Sequence, residues 1–348
     1  MTRQSRLTKL LTVVALTGGL LVGGAPAQAT YQPGEPAAIN PGTPTFAGQA
    51  NPIPAPPAAS DPSRNVLQAI FDADVANGGT SYWFDRILAR PFLNSADSAL
   101  MTRGRALYMY THAPGTLGFA GNGTGANGGG GYAYRQPPTT NVTNLYTVAV
   151  SGAALAETTA QRMQFPSYFS ALFTRAGLSV AEKKFITYNN VAVTDLTLTN
   201  TGTAATTTTL TASSPIATTA SGAELTGTVA ARYGLTTLAS RFSGDGFTVS
   251  GTSLTRSISL AAGASVSVKL QEGVTATELP DSTTEYQRYR GLDANTAWLT
   301  QMREYNRFWV DNVPYIDIPD KNVEKMSYYR TWENRFNTFD GNIPGNDY

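Results

Sequence analysis

Apolar residues recur along this chain with two different periods, and the change falls at Pro280. Before it the period is two. Residues 145–150 alternate as a strand, and residues 184–188 and 191–199 do the same on either side of a turn at Asn189-Asn190. Asn200-Thr-Gly202 then turns the chain into residues 206–212. Threonine is dense here because a β-branched hydroxyl suits a pleated face that meets water. Residues 257–260, the turn Ala261-Ala-Gly-Ala264 and residues 265–270 read as a hairpin, with Ile258, Leu260, Val266, Val268 and Leu270 on the buried face. Many short strands with regular turn signals predict an antiparallel sandwich and not a parallel sheet. Upstream, the aromatic-rich runs 82–88 and 106–110 also read as strands. A short helix before them carries Val66, Ile70 and Phe71 behind a cap at Asp61 or Ser63.

After Pro280 the period becomes helical. Ser282-Thr-Thr-Glu285 has the spacing of a capping box and starts a helix carrying Tyr286 and Tyr289. Asp293 is placed to cap a second helix, on which Trp298, Met302, Tyr305 and Trp309 form one packing face against the sandwich. Residues 312–319 are an extended link, and Asp320 caps a last helix. On that helix Val323, Met326, Tyr329, Trp332 and Phe336 make an apolar face, while Arg330, Glu333 and Asn337 make a polar stripe whose ends can converge.

The N-terminus changes the picture from a domain to an exported one. Residues 1–29 have the form of a signal peptide: Arg3, Arg6 and Lys9, an apolar middle at 10–22, and the cleavage site Ala27-Gln28-Ala29. Export to the extracellular side is the expectation. The apolar run is too short and interrupted to span a membrane, so no span is expected after cleavage. Removing three of the 25 basic residues leaves 22 against 24 acidic ones. A near-neutral chain has no electrostatic footprint for nucleic acid, and a neutral partner such as a glycan fits it better. Residues 30–62 are rich in Ala, Pro, Gly, Asn and Thr, with Pro52-Ile-Pro-Ala-Pro-Pro57 reading as a polyproline II spacer.

Candidate chemistry is sparse. The chain has no cysteine and a single histidine. The core must therefore hold it without disulfides, and cysteine-based zinc sites are excluded. Catalysis of the Ser-His-Asp kind rests on His112 alone, which reads better as a structural histidine at a strand end. The Gly-dense segment 115–131 lacks the following helix that a phosphate cradle needs, so it reads as a surface loop. No aspartates have calcium-loop spacing, and neither metal nor cofactor is expected.

The C-terminal run Tyr328-Tyr-Arg-Thr-Trp-Glu-Asn-Arg-Phe-Asn337, followed by Asn342-Ile-Pro-Gly-Asn-Asp-Tyr348, resembles the opening of the catalytic domain of secreted bacterial six-hairpin glycosidases. The group it looks most like is glycoside hydrolase family 63 and the mannosylglycerate-hydrolase-like enzymes. The resemblance implies a mainly β fold: an antiparallel β-sandwich (supersandwich-like), then a helical linker, then the first helix of an incomplete α/α toroid. On it the chain divides into a signal peptide (1–29), a proline-rich tether (30–62), a β-sandwich (63–280), a helical linker (281–319) and the start of the toroid (320–348). It implies inverting hydrolysis of a glycosidic bond by two carboxyl groups lying beyond Tyr348, so that this chain is an N-terminal portion carrying no catalytic acid or base. A carbohydrate substrate is the implied partner. Trp332, Glu333, Arg335, Asn337, Asn346, Asp347 and Tyr348 are the implied lining of its cleft. Arg335 lies off the stripe of Arg330, Glu333 and Asn337, so the set does not face one cleft on a straight helix. Two other classes fit the same residues. A complete carbohydrate-binding or adhesion module predicts glycan binding that survives deletion of everything after Asp281. A wall protein without a ligand predicts none.

Overall fold

The computed structural model describes residues 66–91, 104–109, 112–121, 130–132, 141–142, 144–231 and 235–337. The segments read as signal peptide and proline-rich tether, with the expected caps Asp61 and Ser63, lie outside them. The described helices are α1 (Val66–Ala76), α2 (Trp83–Leu88), α3 (Pro280–Arg290), α4 (Ala294–Asn312) and α5 (Lys321–Asn337). Two antiparallel sheets dominate the rest, so the fold is mainly β with helices at the C-terminal end. The larger sheet is centred on Val191–Asn200, flanked by Leu178–Ile186 on one side and Ser265–Thr275 on the other. It continues outward through Phe169–Arg175 on one edge and through Thr237–Gly244 and Glu224–Ala230 on the other. The smaller sheet runs Thr248–Ser250, Ser253–Leu260, Thr206–Ser213, Asn144–Val150, Leu117–Ala120.

The two sheets enclose the first core. Leu196, Leu198, Val268, Leu270, Phe242 and Phe173 from the large sheet meet Leu210, Leu254, Ile258, Leu145 and Phe119 from the small one. Threonine and serine line the opposite face as the alternation requires: Thr197 pairs its hydroxyl with Ser267 at 2.8 Å, Thr199 with Ser265 at 2.7 Å, and Thr207 with Ser259 at 2.8 Å.

The expected hairpin at 257–270 does not form. Its two halves lie in opposite sheets, Ser253–Leu260 beside Thr206–Ser213 and Ser265–Thr275 beside Val191–Asn200. The turn between them bridges the sheets and is held by Asn200, whose Nδ2 donates to the carbonyls of Leu260 (3.1 Å) and Ala261 (3.0 Å). The inward face was legible even so, because both sheets turn the same alternate positions toward one shared core: Ile258, Leu260, Val268 and Leu270 are buried in it, and Val266 packs against it.

The outer face of the large sheet is covered too. Phe185, Val191 and Val193 meet Tyr286 and Tyr289 of α3, Trp298, Met302 and Trp309 of α4, and through them α1, α2 and α5. This second core is aromatic; Phe84 stacks on Trp309 at 4.4 Å and 8°. A Cβ at Gly273 would lie 2.5 Å from the Tyr286 ring, so glycine there lets α3 settle onto the strand.

Three local expectations change. Residues 82–88 are not a strand; 83–88 form α2, and every residue of it is buried. A six-residue run that is buried on all sides, its Asp85 and Arg86 included, shows no exposed face from which to read a period. Asp74 fixes the helix, accepting from the Trp83 backbone N–H (2.8 Å) and from both terminal nitrogens of Arg86 (2.8 and 3.1 Å). The capping box at 282–285 does not form either. Pro280 at the first helical position starts α3 earlier, behind Leu279. Ser282 donates to the Leu279 carbonyl instead, and Glu285 accepts from the backbone and side-chain nitrogens of Asn189, each at 3.1 Å. Finally, the segment read as a Gly-rich loop holds strand Leu117–Ala120, and Gly130–Tyr132 is a strand as well. Gly118 sits at φ +90°, where a Cβ would meet the Tyr146 carbonyl at 2.8 Å.

Candidate functional site

Helix α5 is seated by its first turn. Asp320 accepts from the backbone N–H groups of Asn322 (3.0 Å) and Val323 (3.3 Å), capping the helix as the sequence predicts. Glu324 is fully buried beneath it, with Oε2 accepting from the Ile318 N–H (3.1 Å) and from Lys321 (3.0 Å). One turn on, the Tyr328 hydroxyl accepts from the Ile316 N–H at 2.6 Å and donates to the Pro314 carbonyl at 3.2 Å. The link before α5 thus satisfies its backbone on α5 side chains, and that sets the rotation of the helix. The buried line is Glu324, Tyr328, Trp332, Phe336. The expected face is correct at Trp332 and Phe336 but not at its start: Val323 and Met326 are 52 % and 51 % exposed. The hydrophobic spacing could not reveal that a glutamate bonded through one oxygen to Ile318 and Lys321 takes the inward place.

The cleft residues implied by the sequence are distributed as follows. Trp332 is buried, its Nε1–H donating to the Tyr305 hydroxyl at 2.9 Å. Glu333 is half-buried and accepts from Arg330 at 2.5 Å, as the polar stripe predicts. Arg335 lies with its guanidinium 4.2 Å from the Phe308 ring centre and 5.3 Å from that of Tyr188. Asn337 closes α5, its side chain outside the described residues, as are Asn346, Asp347 and Tyr348. Arg335 and Tyr188 are therefore brought together from positions 147 residues apart in sequence, and Tyr188 was not singled out beforehand. Its only local signal is an aromatic residue at the tip of the 187–190 turn.

Titratable groups elsewhere are held by partners. The only histidine is buried, with Nε2 2.9 Å from Glu157 Oε1 and Nδ1 3.1 Å from Lys184 Nζ. Lysine can only donate, so Nδ1 accepts and Nε2 carries the proton toward Glu157. Burial, aided by the Lys184 charge, lowers the His112 pKa to about 4. Burial alone would raise Glu157, but hydrogen bonds from His112 and Arg162 outweigh it and hold it at about 2. Lys184 completes the chain, donating to the Gly118 carbonyl at 2.6 Å and lying 3.2 Å from Glu182, while Glu182 accepts from the Gly118 N–H at 2.6 Å. His112 is a structural link here, as expected.

Burial pushes several carboxyl groups toward neutrality, three of them furthest out of reach of a substrate: Asp85 to about 6, Asp195 to about 6 and Glu272 to about 7. None opens to solvent. Asp85 accepts from the Ser167 N–H (2.9 Å), the Ser167 hydroxyl (2.6 Å) and Asn306 Nδ2 (2.7 Å), and Glu272 from the hydroxyls of Ser240 (2.5 Å) and Ser214 (2.9 Å). Among the described residues no group of three or more acidic or histidine side chains is placed to hold a metal ion. An open groove of about 540 Å³ runs beside α4, lined by Phe71, Thr300, Arg303, Glu304 and Arg307. Among the described residues no helix is long and apolar enough to cross a membrane.

No protein-family model matches the chain. Solved structures similar to it include a protein from the human microbiome assigned as a kojibiose phosphorylase, at 9 % identity and TM-score 0.45, covering 65 % of this chain and 38 % of that one. The family GH92 alpha-mannosidase of Bacteroides thetaiotaomicron is similar at 9 % identity and TM-score 0.33, over 71 % of this chain and 40 % of that one. Its complex with mannoimidazole gives the same identity and TM-score. The chain thus spans about two fifths of the length of each.

Proposed function

We propose that this chain is the sandwich-and-linker portion of an exported protein that cleaves glycosidic bonds, and that its own part is to hold saccharide rather than to transfer protons. The observation that carries this reading is the division of α5. Its aromatic line is locked into the second core, which leaves Arg330, Glu333 and Arg335 outside it, Arg335 beside an exposed tyrosine. Flat rings next to planar hydrogen-bonding forks are the residue types that grip a sugar's C–H face and its hydroxyls. The likeness of residues 328–337 and 342–348 to six-hairpin glycosidases supports the same class. It adds inverting hydrolysis, with two carboxyl groups roughly 6.5–9.5 Å apart in the complete protein. The sealed state of Asp85, Asp195 and Glu272 supports placing that pair elsewhere, since a general acid must reach the leaving oxygen. In this reading Arg335 touches the saccharide and Trp332 supports it from beneath, while the resemblance adds Glu333, Asn337, Asn346, Asp347 and Tyr348 to the lining of the cleft.

The test uses the whole chain, purified, on a glycan array and against aryl glycosides. Saturable binding of neutral oligosaccharides without release of the aryl alcohol is the expected result. A blank array sinks the saccharide reading. Turnover by the 348-residue chain would show that the catalytic pair lies within it after all.

A further inference from the structure

On α4, Thr300, Arg303, Glu304 and Arg307 recur at three- and four-residue spacing and line the open groove together with Phe71 of α1. Most of its charges are already answered. Arg307 donates through Nε to Asp311 (2.9 Å) and through Nη1 to Gln68 of α1 (2.6 Å), with its guanidinium carbon 5.5 Å from the Phe71 ring centre. Glu304 accepts from Arg288 of α3. Asp72 of α1 accepts from Gln68 at 2.7 Å and is not among the lining residues.

Arg303 is the exception. It is exposed, and among the described residues no hydrogen bond or ion pair takes up its guanidinium. Its charge acts on the buried Tyr82 phenol, which burial raises and Arg303 lowers. The Thr300 hydroxyl, one turn earlier, is likewise unbonded among the described residues. Two guanidinium groups four residues apart on one helix face repel. Asp311 neutralises Arg307 and Glu304 is spent on Arg288, so the lining is left with one unmatched positive charge. One charge suits a monoanion better than a phosphate dianion, and the planar fork of an arginine matches the two oxygens of a carboxylate.

We infer that this groove is a subsite for an acidic saccharide, with the carboxylate of a uronic-acid unit on Arg303 and a sugar hydroxyl on Thr300. The sugar in this inference rests on the saccharide reading above; the carboxylate rests on the groove alone. Phe71 is buried, so the groove offers no open ring for stacking and grips by charge and hydrogen bonds. Its volume of about 540 Å³ falls in the range of sites that hold small ligands, roughly 300–1,000 Å³. An exposed arginine makes the ion pair weak and sensitive to salt.

Saturation-transfer NMR titrations of the full chain with trigalacturonate, neutral maltotriose and the simple dicarboxylate glutarate test this. Trigalacturonate is expected to bind more tightly than either, and to be released at about 1 M salt, where charges are screened within roughly 3 Å. Arg303→Gln is expected to weaken it about fivefold, the upper end for an exposed ion pair, and to leave maltotriose unaffected. Arg303→Lys, which keeps the charge and loses the fork, is expected to fall between the two. Without ligand, Arg303→Gln is expected to melt no lower than the wild type, because it relieves the repulsion with Arg307. A lower melting point would mean that the fold itself uses Arg303, and would overturn the subsite. Trigalacturonate bound no better than maltotriose, or equally well by Arg303→Gln, overturns the subsite and leaves the saccharide reading standing. Glutarate binding as tightly as trigalacturonate overturns the assignment to a sugar. Binding of neither saccharide overturns both readings.

Discussion

The large sheet is packed along the whole of one face and over part of the other, by two unlike chemistries. Its inner face meets another sheet, and aliphatic and phenylalanine side chains at every second position do nearly all the work. Its outer face meets helices and carries Lys183, Asp195 and Lys269 as lateral neighbours on three adjacent strands. The two lysines have tasks that apolar packing cannot perform. Lys269 donates to the carbonyls of Tyr289 (2.7 Å) and Leu292, at and just beyond the C-terminal end of α3 where cations are favoured. Gln271 donates to the Tyr286 carbonyl at 2.9 Å, and Lys183 sits 3.2 Å above the Trp298 ring. Two sheets pack through a repeating surface, but a helix laid on a sheet brings backbone ends that need named partners. The first interface follows from pattern and the second from particular residues.

Deleting everything after Asp281 breaks that comparison most severely. It removes nearly all of α3 and the whole of α4 and α5, and so strips Phe185, Val191 and Val193 of their cover while leaving the inter-sheet core untouched. The expected outcome is a chain that keeps its β circular dichroism but binds a hydrophobic dye and melts more than about 10 °C lower, or aggregates. Unchanged melting would mean that the outer face does not depend on its helices. The same result bears on the choice between an isolated binding module and part of a larger body. Glycan binding by that truncated form is interpretable only if it folds.

Within the inner face, one polar feature interrupts the pattern, the chain of Glu182, Lys184, His112 and Glu157. Lys184→Met is expected to cost about 4 kcal/mol in chemical denaturation, because it leaves Glu182 buried with the Gly118 N–H as its one donor. Adding Glu182→Gln recovers at least about 1 kcal/mol if the two are coupled. A double variant as unstable as the single one would show that methionine fails there by shape and not by charge.

How far the sequence could be read follows the same division. Alternation over residues 257–260 and 265–270 identified the inward residues, and Asp293 and Asp320 cap their helices as predicted, accepting from Thr296 and from Asn322 and Val323. The partner of each strand was not legible, since residues 257–260 and 265–270 share a core face while belonging to different sheets. Strands Phe169–Arg175, Glu224–Ala230 and Thr237–Gly244 were not singled out one by one, being set between short polar turns. Arg335 was singled out from its motif, and Tyr188 was not, because α5 brings the arginine beside it and no spacing in the chain encodes that meeting.

The mildest test concerns a second polar group on the inner face. Glu272 faces the inter-sheet core, bonded through Oε1 to Ser214 and Ser240, and its carboxyl is raised by burial from 4.5 to about 7. The folded chain therefore holds this proton more tightly than the unfolded chain does. Between about pH 4.5 and 7, unfolding releases it, so stability falls as pH rises through that window and levels off above it. Asp85 has the same sign but completes its change by about pH 6. His112 has the opposite sign, losing stability as pH falls from 6.5 toward 4. Comparing wild type with Glu272→Gln at each pH cancels both, because the two proteins share them. The variant is expected to match the wild type near pH 4 and to exceed it by about 3 kcal/mol at pH 8, read from denaturation midpoints. Gln keeps an acceptor for the two serines and never ionises. A constant difference across the whole pH range would mean that Glu272 stays charged in the core, and that this face of the sheet relies on charge as much as the outer one does.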